Sequence, residues 1–362
     1  MKTGILVCKG TGKVKNIGDY LQSVAQEQFL PTNSESIERE SLNSVEGNEF
    51  IKLIMNGWFM HHPENFPPSE IIQPLFLSFH ITPKIADTFF SEKTIAYLKK
   101  YEPIGARDLG TLKLLESKGI KSWFSGCLTL TLGKKYKASK HGDEIIFVDP
   151  YFELGGENEA KKWVKLVKAL LMFVKSPFKV LNLYKKFESD FISPVSKISK
   201  KKKLLLVASF YNAYSNIFSD DVLLNASYIS HKISQADFPT NEEKMEYARL
   251  LIKRYSQAKY VVTSRIHCAL PCLGIETPVL FVNSEALQGS GVRSSGRFEG
   301  LLDLLHQLNF TSGKIIVNSP EISTKLSEGK ISRNLSFENR QDYKKLADDL
   351  SCRVTSFLEN KE

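Results

Sequence analysis

No apolar run in this 362-residue chain approaches the ~20 residues that a membrane-crossing helix needs. Cysteine is scarce: Cys8, Cys127, Cys268, Cys272 and Cys352 are odd in number, scattered, and mostly set in apolar runs, as expected in a reducing compartment, the cytoplasm. Cys268 and Cys272 share a helical face, but two further ligands at suitable spacing are missing, so they read as small core residues and no metal site is expected. There is no zinc spacing, no aromatic RNP-type strand and no basic helix-turn-helix, so no nucleic-acid partner is expected. The G-x-G-x-x-G order of a dinucleotide fingerprint is missing. Asp220-Asp221 and Asp348-Asp349 lack the context of a divalent-metal nucleotide-sugar site. The opening MKTGILVCKG has an apolar run that Lys9 and Gly10 end too early for a signal peptide, and it reads as a first strand.

What is present is a basic α/β chain. The net charge is +9, and the excess lies between Lys161 and Lys203. A basic protein meets nucleic acid, anionic membrane or acidic small molecules. The length favours two domains, with neither an internal repeat nor a long Gly/Ser- or Pro-rich linker. Strands are expected at 4–8, Phe50–Met55, Leu75–Phe79, Pro103–Ala106 and from Ser122, with helices at Tyr20–Leu30, Lys84–Lys100 and Thr111–Lys118. A second unit begins with a strand at Glu144–Val148 and a basic amphipathic helix over Glu157–Lys175. Strands at Leu204–Ser209 and Ala226–Ile229 follow, with Lys200–Lys203 a solvated charge run before the first. The rest reads as helix Asn241–Tyr255 behind a Thr240/Glu243 capping box, helix Phe298–Leu308, strand Lys314–Val317 and helix Asp342–Leu358. The alternation predicts two Rossmann-like domains, 1–142 and 143–362, with a cleft between them.

The most informative stretch is Lys259–Val282. An apolar run ends abruptly in Ser264-Arg265-Ile266-His267, and a short helix, Gly274 and a second apolar run follow. Arg265 and His267 thus stand where a strand gives way to a helix, the edge at which open parallel sheets bind ligands. The helix N-terminus adds free N–H groups and a field that favours anions. Pro271 predicts a kinked or short helix.

Three motifs together resemble the polysaccharide pyruvyl transferase family. They are Asn16-Ile17-Gly18-Asp19, then Ile104-Gly105-Ala106-Arg107-Asp108 with Thr111 and Gly119-Ile120, and Val262-Thr263-Ser264-Arg265-Ile266-His267 with Gly274 and Pro278. The resemblance runs from about Ile5 to Val282, and its specific part is the R-x-H turn. It implies a GT-B-like pair of Rossmann domains. It also implies transfer of the pyruvyl group of phosphoenolpyruvate to a sugar of a surface polysaccharide or its lipid-linked precursor, as a cyclic ketal. Phosphoenolpyruvate is then a donor substrate, and no cofactor is implied. The Ser- and Gly-rich segment Asn283–Arg297 does not map residue by residue onto the family pattern.

That chemistry needs arginines or helix N-termini on the phosphate and a general acid near neutral pH, for which histidine is suited. His267 is the candidate acid, Arg265 the anion clamp and Ser264 a substrate-binding residue beside it. Asn16, Gly18 and Asp19 open the first helix. Asp19 would repel an anion, so it caps the helix or meets a sugar hydroxyl. Arg107 is a ligand arginine beside a helix-capping Asp108, or half of a local salt bridge. His80 and His231 end strands and suit an acceptor or a structural role; Asn56 and Gly57 stand beside Trp58, a residue for sugar stacking or core. Arg293 and Arg297 either close on the phosphate or are exposed. Lys161–Lys175 interleaves lysines with apolar residues, as in a helix lying on an anionic membrane or one packed on a sheet. A nucleotide-sugar glycosyltransferase and a non-catalytic glycan-binding protein fit the same fold, so phosphate release, nucleotide release or neither separates the three.

Overall fold

The computed structural model describes residues 2–9, 12–152, 159–187, 199–284, 287 and 296–360, without the side chains of 159–162 and 165. Among the described residues, nine strands precede residue 143: β1 (Lys2–Val7), β2 (Val14–Asn16), β3 (Glu35–Glu38), β4 (Ile51–Ile54), β5 (Gly57–Phe59), β6 (Ile72–Leu75), β7 (Phe79–Ile81), β8 (Ile104–Ala106) and β9 (Ser122–Phe124). All but β2 form two parallel four-stranded sheets, β3-β1-β4-β6 and β5-β7-β8-β9. The chain passes from the first of these sheets to the second twice, through Met55 and Asn56 between β4 and β5 and through 76–78 between β6 and β7. Both crossings use left-handed backbone, at Gly57 (φ 100°) and Ser78 (φ 56°). The single strand expected over Leu75–Phe79 is therefore two strands in different sheets, and His80 lies inside β7 rather than beyond a strand end.

The second half contributes β10 (Ile145–Val148), β11 (Ser227–Ile229), β12 (Lys232–Ser234), β13 (Tyr260–Thr263), β14 (Val279–Asn283), β15 (His306–Thr311) and β16 (Lys314–Val317). Six of them make one sheet, β11-β10-β13-β14-β15-β16, parallel except for β16. The strand expected at Leu204–Ser209 is part of a helix, Lys200–Tyr214, capped by the Ser199 side chain on the Lys202 amide. Its Val207, Phe210 and Tyr214 are buried in one cluster with Phe147 of β10. The helix expected at Phe298–Leu308 is a set of turns followed by β15. Gly300 at φ 79° breaks the helical path, and β15 fills the place between β14 and β16.

Several contacts join the halves. Strand β2 pairs antiparallel with β12, Asn16 opposite Lys232. A buried cluster also combines Ile17, Leu21 and Leu128 of the first half with Leu251, Leu270 and Leu273 of the second. Gly274 sits where the halves touch: a Cβ there would come 2.4 Å from the Thr129 carbonyl oxygen. The last helix, Tyr343–Glu359, returns to the first half, where the buried Lys52 ammonium of β4 donates to the carbonyls of Phe357 (2.7 Å), Leu358 (3.1 Å) and Asn360. Lys52 thus satisfies carbonyls that a helix C-terminus leaves without partners.

Candidate active site

The Ser264-Arg265 turn is pinned to both neighbouring strands. The Thr263 hydroxyl donates to the Val148 carbonyl of β10 (2.8 Å) and accepts from the Arg265 amide (2.9 Å). The Ser264 hydroxyl donates to the Val282 carbonyl of β14 (2.6 Å) and accepts from the Tyr151 amide (2.7 Å). Ser264, expected to touch substrate, has its hydroxyl engaged in holding the turn. Arg265 is then the N-cap position of the helix Ile266–Gly274, which keeps Pro271 within it. Its Nε donates to Asp149 Oδ2 at 2.9 Å, and about a third of the side chain stays exposed. Asp149, just past β10, adopts φ 40° and also accepts from the His231 amide (3.0 Å).

His267 is held from across the junction. Arg107 Nη1 lies 3.3 Å from its Nε2, and Gln22 Nε2 lies 3.5 Å from its Nδ1. Arginine only donates, so Nε2 accepts and the imidazole rests neutral with its proton on Nδ1. The Gln22 Oε1 atom has no hydrogen-bond partner among the described residues. Exchanging the amide oxygen and nitrogen would give Nδ1–H an acceptor. Burial, and then the charge of Arg107, push the His267 pKa well below 6.5. The ring lies close on Gly18: a Cβ at that glycine would stand 2.9 Å from the His267 Cβ. Gly18 is thus required for close approach, whatever its contact with a ligand.

Arg107 follows β8 and is buried. Asp108 fixes it, accepting from Arg107 Nε and Nη2 at 3.2 Å each. The same carboxylate caps the helix Leu109–Glu116 through the Thr111 amide (2.9 Å) and meets His80 Nδ1 at 2.7 Å. Burial alone would raise the Asp108 carboxyl, but His80, Arg107 and Thr111 outweigh it and hold the pKa low. Burial and the Arg107 charge bring His80 down to about 4, so this histidine is neutral and locked to its aspartate. Arg107 is therefore both a salt-bridge partner, through Asp108, and a neighbour of His267. Arg297 reaches the same place from the 296–299 segment, which docks on the start of Leu109–Glu116 through the Leu109 amide and the Glu299 carbonyl (3.1 Å). Its guanidinium lies 4.4 Å from the Phe298 ring centre, and burial followed by Arg107 and Arg265 lowers its pKa. Three arginines thus converge beside His267, a field that favours an anion.

Asp19 is not the helix cap; the Asn16 side chain is, accepting from the Gly18 amide at 3.2 Å. Asp19 is instead half-buried, its carboxyl raised by burial against the opposing charges of Arg39 and Arg107. Asn56 is buried between Gln22 and Gln26, its Nδ2 donating to the Gln22 carbonyl (3.3 Å) and its Oδ1 accepting from the Gln26 side-chain Nε2, so it supports the helix that carries Gln22. Gly57 lies against the Gln22 side chain. His231 is fully buried, its Nε2 2.9 Å from the Tyr255 hydroxyl. The site therefore gathers Gly18, Asp19, His80, Arg107, Arg265, His267 and Arg297, whereas the side chains of Asn16, Asn56, Ser264 and His231 serve local structure. Arg293 lies outside the described residues. Sequence reading missed Gln22, Arg39 and Asp149. Gln22 follows Gly18 by four residues, one helical turn, which was the available signal.

Among the described residues, no group of three or more His, Cys, Asp or Glu is placed to hold a metal ion. No described helix is long and apolar enough to cross a membrane. A family model, that of the polysaccharide pyruvyl transferases, matches residues 16–285. No curated protein and no solved structure matches the chain.

Proposed function

The chain belongs to the polysaccharide pyruvyl transferase family, and on that premise we propose that it moves the pyruvyl group of phosphoenolpyruvate onto two hydroxyls of a sugar as a cyclic ketal. The acceptor is a surface polysaccharide or its lipid-linked precursor. The halves 1–142 and 143–362 are read as a GT-B-like pair, a reading supported by the last helix crossing back to Lys52. The observation that carries the chemistry is His267 held between Gln22 and Arg107 with Arg265 and Arg297 beside it.

Arg107, Arg265 and Arg297 receive the donor's phosphate and carboxylate. His267 is neutral before the donor arrives. The bound anion offsets the positive field and draws Arg107 away from Nε2, so the imidazole takes up a proton only with its substrate in place. His267 then gives that proton to the methylene carbon. The cation at C2 is attacked by one sugar hydroxyl, whose proton passes to Asp19, a carboxyl already raised toward proton uptake. The C2–oxygen bond to phosphate breaks, the arginines stabilising the negative charge that gathers on the leaving phosphate. The second hydroxyl closes the ring and gives its proton to phosphate. Asp19 returns its own proton to His267 by way of solvent, which completes the balance.

The test is incubation with phosphoenolpyruvate and candidate diol acceptors, reading inorganic phosphate. Acceptor-dependent phosphate release supports the proposal. Release of a nucleoside diphosphate from nucleotide sugars instead makes the chain a glycosyltransferase, and neither product makes it a glycan-binding protein.

A further inference from the structure

The helix Glu159–Lys175 does not bury its apolar stripe. Ala169 is buried, and Met172 and Phe173 pack on the second-half cluster. Outward lie Trp163 (65% exposed), Val164, Val167, Leu170, Leu171 (62%) and Val174 (70%). At 100° per residue these six fall on one arc. The next helix, Pro177–Lys186, extends the surface beyond the Ser176-Pro177 corner with Phe178, 85% exposed, and Leu181. Scattered exposed apolar residues are ordinary, but a contiguous set of this size marks an interaction surface. Of the two arrangements expected for this helix, an apolar side packed on the sheet is not the one adopted by these six residues.

We propose that this helical pair is a docking surface for an anionic phospholipid bilayer. The argument for that occupant is charge. Between Glu159 and Phe187 the chain has eight lysines and one acidic residue, Glu159, and Lys200–Lys203 start the helix packed alongside. Lys168 and Lys175 are exposed and border the apolar arc. A second copy joined face to face would set lysine against lysine, because a two-fold interface is self-complementary. A bilayer carrying anionic headgroups satisfies both parts, taking the apolar arc into its outer layer and the lysines at its phosphates. The pair also springs from the ligand-binding edge of the sheet: the chain leaves β10 past Asp149, and the Tyr151 amide is bonded to Ser264. A lipid-linked acceptor would be met on that side. The docking itself does not depend on pyruvyl transfer, so its test is separate from the catalytic one.

The experiment is flotation of the full chain with vesicles of equimolar phosphatidylglycerol and phosphatidylcholine, against vesicles of phosphatidylcholine alone. Sedimentation velocity of the lipid-free protein runs in parallel. The expected result is binding to the anionic vesicles only, released by salt, with a blue shift and brominated-lipid quenching of tryptophan emission that Trp163→Phe removes. Replacing Lys168 or Lys175 by Ser should weaken partitioning by roughly fivefold each at low salt. Leu170→Ser with Phe178→Ser should abolish it while leaving phosphoenolpyruvate binding unchanged, which also reports that the variant is folded. Absence of vesicle binding overturns the proposal. So does binding indifferent to lipid charge, and so does a stable dimer that Leu170→Ser with Phe178→Ser dissociates.

Discussion

At His267 two roles are separable by substitution. A glutamine can hold position but cannot supply a proton, so His267→Gln should leave donor affinity largely intact and cut turnover by roughly 10²–10⁴-fold. Arg265 touches the donor before and during the reaction, so Arg265→Ala should weaken donor affinity by about 10–100-fold as well as slow turnover. Calorimetry beside initial rates decides between them. Near-normal turnover in His267→Gln would move the acid to Asp19, since His80 is tied to Asp108 and His231 to Tyr255. The neutral resting state gives a second expectation. The depressed pKa of His267 comes first from burial and then from neighbouring cations, chiefly Arg107. An anionic donor removes the second cause, so saturation with phosphoenolpyruvate should raise the His267 pKa, read as the titration of its ring carbon proton by NMR. A titration that does not move with donor would contradict loading by substrate.

The helix Ile266–Gly274 ends on a glycine because the other half of the molecule passes over it. A methyl group at Gly274 would meet backbone atoms of Thr129 and Leu130, which cannot rotate aside. Gly274→Ala should therefore cost about 1–3 kcal/mol, the range for overpacking a filled interior, and lower the thermal midpoint. An unchanged midpoint would mean that the junction yields. Elements with their own punctuation were legible in sequence: the Thr240/Glu243 capping box is formed as read, and the strand before Ser264 ends where polar residues begin. Elements decided by distant partners were not. The run at 204–209 carries apolar residues without alternation because its helix is covered by Phe147 and its neighbours. The helical spacing of 298–308 is overridden by pairing in the six-stranded sheet. In the site, Arg265 and His267 were visible as a strand-end pair, whereas Gln22 and Asp149 acquire meaning only when the first helix and β10 are brought against that turn.

For the whole molecule, histidines that the fold holds neutral set the acid limit of stability. His80 is pushed down to about 4, and His267 and His306 are both depressed, each with burial as the first cause. Folding thus favours their neutral forms. Their contribution is fully present above the unfolded value near 6.5 and is lost as pH falls from there through the folded values. For His80 alone the shift is on the order of 3 kcal/mol, since each unit corresponds to about 1.4 kcal/mol. Asp19 acts in the opposite sense, because its raised carboxyl favours the folded state on protonation, so a bulk acid melt mixes the two. A difference measurement separates them. His80→Gln has no group to titrate at that position but keeps an amide donor for Asp108. Whatever the substitution costs at pH 7, the gap between wild type and variant should narrow as pH falls from 6.5 toward 4, and by more than a unit's worth of free energy. Paired denaturant melts across that window read the gap directly. A gap that stays constant with pH would mean that His80 is not held neutral, and the Asp108 carboxylate would then be balancing a charged imidazole beside Arg107.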